Sequence, residues 1–261
     1  MQLLDKVAVI TGAGRGLGRH LAIAFAKAGA DLILTARTAE QLEKVAAEVR
    51  REGRRALVVP CDVSSPADVG KLGMSLEAEF GRVDVLVNNA GISQQASILD
   101  SNKEAWLHVI KVNLFGAYLC IKAVLPLMQK VGSGSIINMA STAAKDPKPY
   151  NTAYGSSKHG LLGLSKSVAA EVAMSGYPDI RVNAICPFFV KTEIYDNFLV
   201  REAKRTGLSQ AEVAEKTKAL NLQHRILEPQ EVSTLAIFLS SDAGKGITGQ
   251  AINICGGKTF H

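Results

Sequence analysis

Thr11-Gly12-Ala13-Gly14-Arg15-Gly16-Leu17-Gly18 decides the fold. Ahead of it stands the apolar run Val7–Thr11, and behind it a helical periodicity over 16–30 that closes on Gly29. A second apolar run, Asp31–Ala36, follows. Strand, glycine turn, helix and strand in this order make a βαβ unit, the start of a parallel sheet. Glycine here lets the backbone approach a pyrophosphate and lets the helix pack on the strand. The helix amino terminus adds free N–H groups and partial positive charge for phosphates. Gly12, Gly16 and Gly18 are spaced G-x-x-x-G-x-G, unlike the common dinucleotide fingerprint G-x-G-x-x-G, and Gly14 adds a fourth small position. A P-loop is excluded because no Gly-Lys-Ser/Thr follows.

Outward from the turn the alternation continues. Residues 39–52 form a charged amphipathic pattern stopped by Gly53, Ala56–Pro60 a third strand, 66–80 a helix stopped by Gly81, and 83–87 a fourth strand. Long helical patterns at 102–131 and 152–175 accompany strands at 135–139 and 180–185, and a helix near 230–240 precedes a strand at 250–254. Near-continuous apolar strands between helices predict an α/β fold, one doubly wound parallel sheet of about seven strands with helices on both faces, a Rossmann fold. Residues 1–261 are expected to form one dinucleotide-binding and catalytic domain. Only the helical insertion at 188–228 breaks the pattern, and it is expected to act as a substrate lid. Ligands of such sheets bind beyond the carboxyl ends of the strands.

Composition narrows the function classes. The chain has 261 residues, 47% hydrophobic and 21% charged, enough for a sizeable core. No apolar run in the sequence approaches the ~20 residues of a membrane-spanning helix. The charged pair Asp5-Lys6 argues against a cleaved secretory signal. The four cysteines, Cys61, Cys120, Cys186 and Cys255, form no C-x-x-C, which points to buried thiols in a reducing, cytoplasmic setting. The five histidines form no H-E-x-x-H, so no metal site is expected. The net charge is +6, and much of the excess is Arg50, Arg51, Arg54 and Arg55 around Gly53. Without interleaved aromatics this is a solvated helix end rather than a nucleic-acid surface.

Asn88-Asn89-Ala90-Gly91, Asn113, Ser141 and Tyr154-Gly155-Ser156-Ser157-Lys158 stand in order behind the glycine turn. With it they make the whole chain resemble the short-chain dehydrogenase/reductase family, and most nearly 3-oxoacyl-(acyl-carrier-protein) reductases, polyketide ketoreductases and 3-hydroxybutyrate dehydrogenases. The resemblance implies a catalytic set of Asn113, Ser141, Tyr154 and Lys158. Tyr154 and Lys158, four apart, share one helix face. An ammonium beside the phenol is expected to lower the Tyr154 pKa from about 10. Ser141 would polarise the carbonyl that Tyr154 protonates. The family reading gives Lys158 a hydrogen bond to the nicotinamide ribose and Asn113 a water relay to solvent.

Cofactor residues follow in the same way. Gly12, Gly14, Arg15, Gly16, Leu17 and Gly18 surround the pyrophosphate, and Asp62 and Val63 resemble the family's adenine contact. Asn89, Ala90 and Gly91 allow close approach to the cofactor, while Pro187, Val190 and Thr192 line its nicotinamide end. No carboxylate stands at Ala36, where an NAD site would place one against the ribose hydroxyls. Arg37 instead suits a 2′-phosphate, and a basic residue at Arg15 closes on that phosphate in NADP-preferring relatives. NADP is therefore the expected cofactor.

Tyr150, Phe188 and Phe189 are the expected substrate contacts. Tyr150, four residues before Tyr154, should face the same space. Phe188 stands where the family usually has glycine. The small-carboxylate pocket of the 3-hydroxybutyrate dehydrogenases uses a His shortly after the serine and a Lys three before the tyrosine. The matching positions, Ala143 or Ala144 and Asn151, are uncharged. The leading expectation is an NADPH-dependent ketone reductase working on a small molecule. An NAD-dependent short-chain 3-hydroxyacid dehydrogenase is the alternative, followed by a non-enzymatic dinucleotide sensor and a nucleotide-sugar epimerase or dehydratase. A homotetramer is expected, because small residues such as Ala117, Ala123, Ala169, Ala170 and Ala173 lie on the two long helices that family members pair across a two-fold axis.

Overall fold

In the computed structural model, which describes residues 1–261, seven parallel strands form one sheet in the order β3-β2-β1-β4-β5-β6-β7. They are β1 (Val7–Thr11), β2 (Asp31–Ala36), β3 (Ala56–Pro60), β4 (Val85–Asn88), β5 (Gly134–Met139), β6 (Ile180–Pro187) and β7 (Ala251–Ile254). The chain winds outward from β1 through β2 to β3, then returns to lay β4 on the other side of β1. A crevice therefore opens over the carboxyl ends of β1 and β4.

The period-two alternation of the strands decides which core each side chain joins. Ala8 and Ile10 of β1 pack into one core with α1 (Gly16–Lys27), α2 (Ala39–Arg51) and α9 (Pro229–Ser240). Val7 and Val9 point the other way, into the core under α3 (Pro66–Glu79), α5 (Gly116–Val131) and α6 (Thr152–Met174). The doubly wound sheet is thus as the sequence implies, with most boundaries within a few residues. Helix α1 stops at Lys27 because Gly29 turns at φ +103°, and the N–H groups of Ala28 to Ala30 bond back to the last turn. Strand β4 begins at Val85, and just before it the buried Asp84 carboxylate accepts from the Val7 N–H and the Arg82 guanidinium.

The helical run Lys103–Val131 has the length and mean hydropathy (1.5) of a membrane-spanning segment, although the sequence shows no unbroken apolar run. Its buried face, including Cys120, Ile121, Val124 and Met128, packs into the sheet core. The run is α4 (Lys103–Ile110), a π-helical turn at Lys111–Phe115, and α5. The insertion at 188–228 holds α7 (Glu193–Thr206) and α8 (Gln210–Lys218). Gly207, at φ +75°, ends α7, and a reciprocal Ser209–Glu212 capping box starts α8.

Candidate active site

The glycine turn closes tightly over the end of β1. A Cβ on Gly18 would sit 2.0 Å from the Gly12 carbonyl oxygen, and one on Gly12 2.9 Å from Ala90 Cα. Gly12 and Gly16 also have φ of +66° and +52°, where side chains are strained. No acidic residue stands in the first turn of α1, and no side chain caps its amino terminus. Its free N–H groups are left for an anion, so the turn fits the pyrophosphate of a dinucleotide.

A hydrogen-bond knot holds the turn against the end of β4. The Thr11 hydroxyl accepts from the N–H groups of Asn89 (3.0 Å) and Ala90 (2.9 Å). The Asn89 amide donates to the Thr11 carbonyl at 2.9 Å. Asn89 therefore bonds backbone beside the turn, and Ala90 and Gly91 continue along the crevice. Leu17 packs on the adjoining core.

Just past β3, Asp62 accepts from the Ser64 hydroxyl (2.7 Å) and N–H (2.9 Å), which hold its carboxyl below the usual range, with Arg37 and His108 adding to the effect. Val63 is buried against Gly116. Arg37 is exposed and pairs with no carboxylate, whereas Arg15 lies 3.2 Å from Glu193 at the start of α7.

The four candidate catalytic residues converge from β5, α6 and the π-turn. Ser141 lies just past β5, where its hydroxyl caps the short 3-10 turn Thr142–Ala144 by accepting from the Ala143 N–H at 3.1 Å. Tyr154 and Lys158 share a face of α6, with the Lys158 ammonium 5.6 Å from the phenol ring centroid. That ammonium is buried and donates to the Met139 carbonyl at 2.6 Å, and burial pulls its pKa down to about 8. Asn113 sits on the π-turn, buried, its amide clamped to both the N–H (2.8 Å) and carbonyl (2.9 Å) of Ile92 and to the Ser157 hydroxyl (3.0 Å). A Cβ on Gly91 would lie 3.4 Å from Asn113 Oδ1 and 3.5 Å from Lys158 Nζ, so glycine here lets the amide and the ammonium close on one point. A π-turn at such a place aims a side chain that a regular helix would point elsewhere.

The expected lowering of the Tyr154 pKa is corrected. Burial pushes this phenol up, and the neighbouring Ser141 hydroxyl offsets only part of the rise. The physical reason is orientation. The Lys158 ammonium donates to the Met139 carbonyl, which leaves the Ser141 hydroxyl to offset only part of the cost of a buried phenolate.

Past β6 the chain makes the remaining wall. Pro187 ends the strand, Val190 forms a parallel bridge with Leu227, and Thr192 lies beside Gly16. Phe188 keeps a negative φ and is buried in the core, so its backbone needs no glycine. Half-buried Phe189 packs on Tyr195 and Phe198 of α7, with centroids at 5.5 and 4.4 Å. Tyr150 is not on α6, because Asn151 is the residue at that helix's amino-terminal boundary. It stands at φ +62°, half exposed, with the Arg205 guanidinium of α7 5.7 Å above its ring. Lys148 drew no attention in the sequence. Its ammonium lies over both phenylalanine rings, 4.7 Å from Phe189 and 5.1 Å from Phe188.

The chain is similar along its whole length to several known oxidoreductases. The chain is 34% identical to D-beta-hydroxybutyrate dehydrogenase of Rhizobium meliloti, over 98% of this chain and 99% of that one. An actinorhodin polyketide ketoreductase variant solved with NADPH superimposes with a TM-score of 0.93 at 33% identity, covering 98% of each chain. L-sorbose reductase of Gluconobacter frateurii, solved with NADPH and L-sorbose, gives 0.92 at 31% identity and full coverage of both chains. The family model for short chain dehydrogenases matches residues 6–202, which span the glycine turn, Ser141 and the Tyr154–Lys158 pair. With that match and those full-length similarities, the chain belongs to the short-chain dehydrogenase/reductase family of oxidoreductases that act on CH–OH groups.

Proposed function

We propose that this protein is an NADP(H)-dependent reductase of apolar ketones, reversible as a secondary-alcohol dehydrogenase. The observation that carries the reading is the convergence of Ser141, Tyr154, Lys158 and Asn113 at the carboxyl edge of the sheet beside the glycine turn. The glycine turn, the α1 amino terminus and Arg37 would hold the dinucleotide, with Lys158 near its nicotinamide ribose. When bound, it supplies the hydride for reduction and accepts it in the reverse direction. The chain's own part is proton and position chemistry. Ser141 donates to the substrate carbonyl oxygen and orients it. Tyr154, kept protonated by burial, gives that oxygen its proton. Lys158 and the clamped Asn113 stand behind the phenol as the route by which that proton is replaced. Four free, buried cysteines support a reducing, cytoplasmic setting.

The substrate side supports apolar ketones over acetoacetate. Ala143 and Ala144 are buried and uncharged, while Phe189, Tyr195 and Phe198 form an aromatic cluster where the insertion meets β6. We read α7 and α8 as the lid over this space. Burying one more methylene contributes about 0.8 kcal/mol, or roughly fourfold. We therefore expect kcat/KM for NADPH-dependent reduction to climb as a ketone chain lengthens by two or three carbons. A profile that peaks at acetoacetate would return the short-acid dehydrogenase to first place.

A homotetramer completes the reading. The outer faces of α4, α5 and α6 expose Leu107, Phe115, Tyr118, Ala170 and Ala173, and Phe115 stacks on Tyr118 at 5.8 Å. Such a patch suits burial against a second copy of itself. Light scattering at micromolar concentration should return the tetramer mass, and a monomer mass would count against it.

A further inference from the structure

We infer that Lys148 is a substrate-specificity residue that receives a carboxylate carried by the ketone, at the end of an apolar chain. The inference rests on the reductase reading above and adds a carboxylate at the far end of the ketone's apolar chain, so that the substrates are oxo acids longer than acetoacetate. Lys148 lies on the loop between Ser141 and the start of α6, and its ammonium sits over the rings of Phe188 and Phe189, which follow β6. Half-buried, it therefore lies between the loop that carries the catalytic serine and the segment that leads into α7.

No carboxylate forms an ion pair with this cation, and the one that acts on it, Asp146, is shared with other groups. The nearby Asp146 carboxylate is taken by the carboxyl-terminal tail, through Lys258 at 3.5 Å, the Thr259 hydroxyl at 3.2 Å and the His261 ring at 3.8 Å. Lys145 donates to the Ala251 carbonyl at 2.8 Å. Arg205 is held by both oxygens of Glu202. Lys148 itself lies over two aromatic rings, and burial, with the Lys258 charge, lowers its pKa more than the Asp146 carboxylate raises it. An ammonium in such a place gains most from an anion that arrives with the substrate. One lysine supplies one positive charge, which matches the single negative charge of a carboxylate rather than the two of a phosphate monoester. Half-buried Phe189 beside it suits the chain that joins the carboxylate to the ketone. This cation stands six residues before Tyr154, away from the uncharged positions Ala143, Ala144 and Asn151.

The test compares 5-oxohexanoate with its methyl ester as substrates for the whole enzyme with NADPH. The acid-to-ester ratio of kcat/KM, taken within each protein, is the readout, so a general loss of activity cancels. A charge-assisted hydrogen bond predicts that the wild type favours the acid by roughly 10- to 150-fold. Lys148→Met keeps the length and apolar contact of the side chain and should bring the ratio close to one, through KM for the acid. Lys148→Arg should keep most of the preference. A wild type that reduces the ester as well as the acid, a Lys148→Met ratio equal to that of the wild type, or reduction of 2-octanone with neither oxohexanoate accepted would each overturn the inference alone. Failure to reduce any of the three ketones would overturn the reductase reading and the inference together.

Discussion

Tyr154→Phe is expected to lower kcat by roughly 10²- to 10⁴-fold, the span of a general acid–base contribution. Binding of NADPH, followed by fluorescence titration, should stay close to that of the wild type. The phenyl ring keeps its place on α6, 5.6 Å from the Lys158 ammonium, and only the exchangeable proton is lost. The pH dependence has a definite sign. Burial raises the phenol pKa, so Tyr154 is protonated through neutral pH, the state that gives a proton to a ketone. Reduction should therefore be level through neutral pH and fall as the pH rises toward the phenol pKa. Alcohol oxidation needs the phenolate and should rise over the same range. Lys158, with its pKa near 8, loses its charge within that range, which shapes both limbs. A loss below tenfold in Tyr154→Phe, with chemistry shown to limit the rate, would remove Tyr154 from this role.

The features legible in the sequence are those set by local pattern. Each early strand is a near-continuous apolar run, and each early helix ends two residues before a glycine with positive φ, Gly29, Gly53 or Gly81. Those signals need no tertiary information. The glycine turn was legible because its small residues answer to a near-zero clearance, 2.0 Å at Gly18. Other features depend on contacts that a linear pattern does not carry. The π-turn at Lys111–Phe115 has the same apolar spacing as the helices around it and differs only in its hydrogen bonds. Tyr150 is four residues from Tyr154, but helix α6 starts too late to include it. The pKa direction of Tyr154 depends on where Lys158 points, which is fixed by the Met139 carbonyl on a different strand. Lys148 is one lysine among many until the fold lays it on Phe188 and Phe189.

NADPH is expected to surpass NADH in kcat/KM by roughly 10- to 150-fold, from the 1.5–3 kcal/mol of a hydrogen bond to a charged group. Two arginines stand near the candidate phosphate, in different states. Arg37 follows β2 directly after the uncharged Ala36, exposed and in no ion pair, with Asp62 the one carboxylate it acts on. Arg15 is already engaged with Glu193 at 3.2 Å, and both side chains are more than half exposed. An exposed pair of this kind contributes about 0–1 kcal/mol, so Arg15 can exchange Glu193 for a phosphate at little cost but also at a reduced gain. Arg37 forms no ion pair and gives up only its longer-range attraction to Asp62. Arg37→Ala should accordingly remove most of the preference, and Arg15→Ala a smaller part. Both effects should appear in KM for NADPH and leave the NADH reaction nearly unchanged, because NADH has no 2′-phosphate. Salt should weaken the preference as well, since both guanidinium groups are solvent-exposed. The measurement is kcat/KM for each dinucleotide in the wild type and the two variants at one ionic strength. A wild type that uses NADH equally well or better would mean that both arginines are solvated surface charges, and that the open position at Ala36 selects for neither dinucleotide.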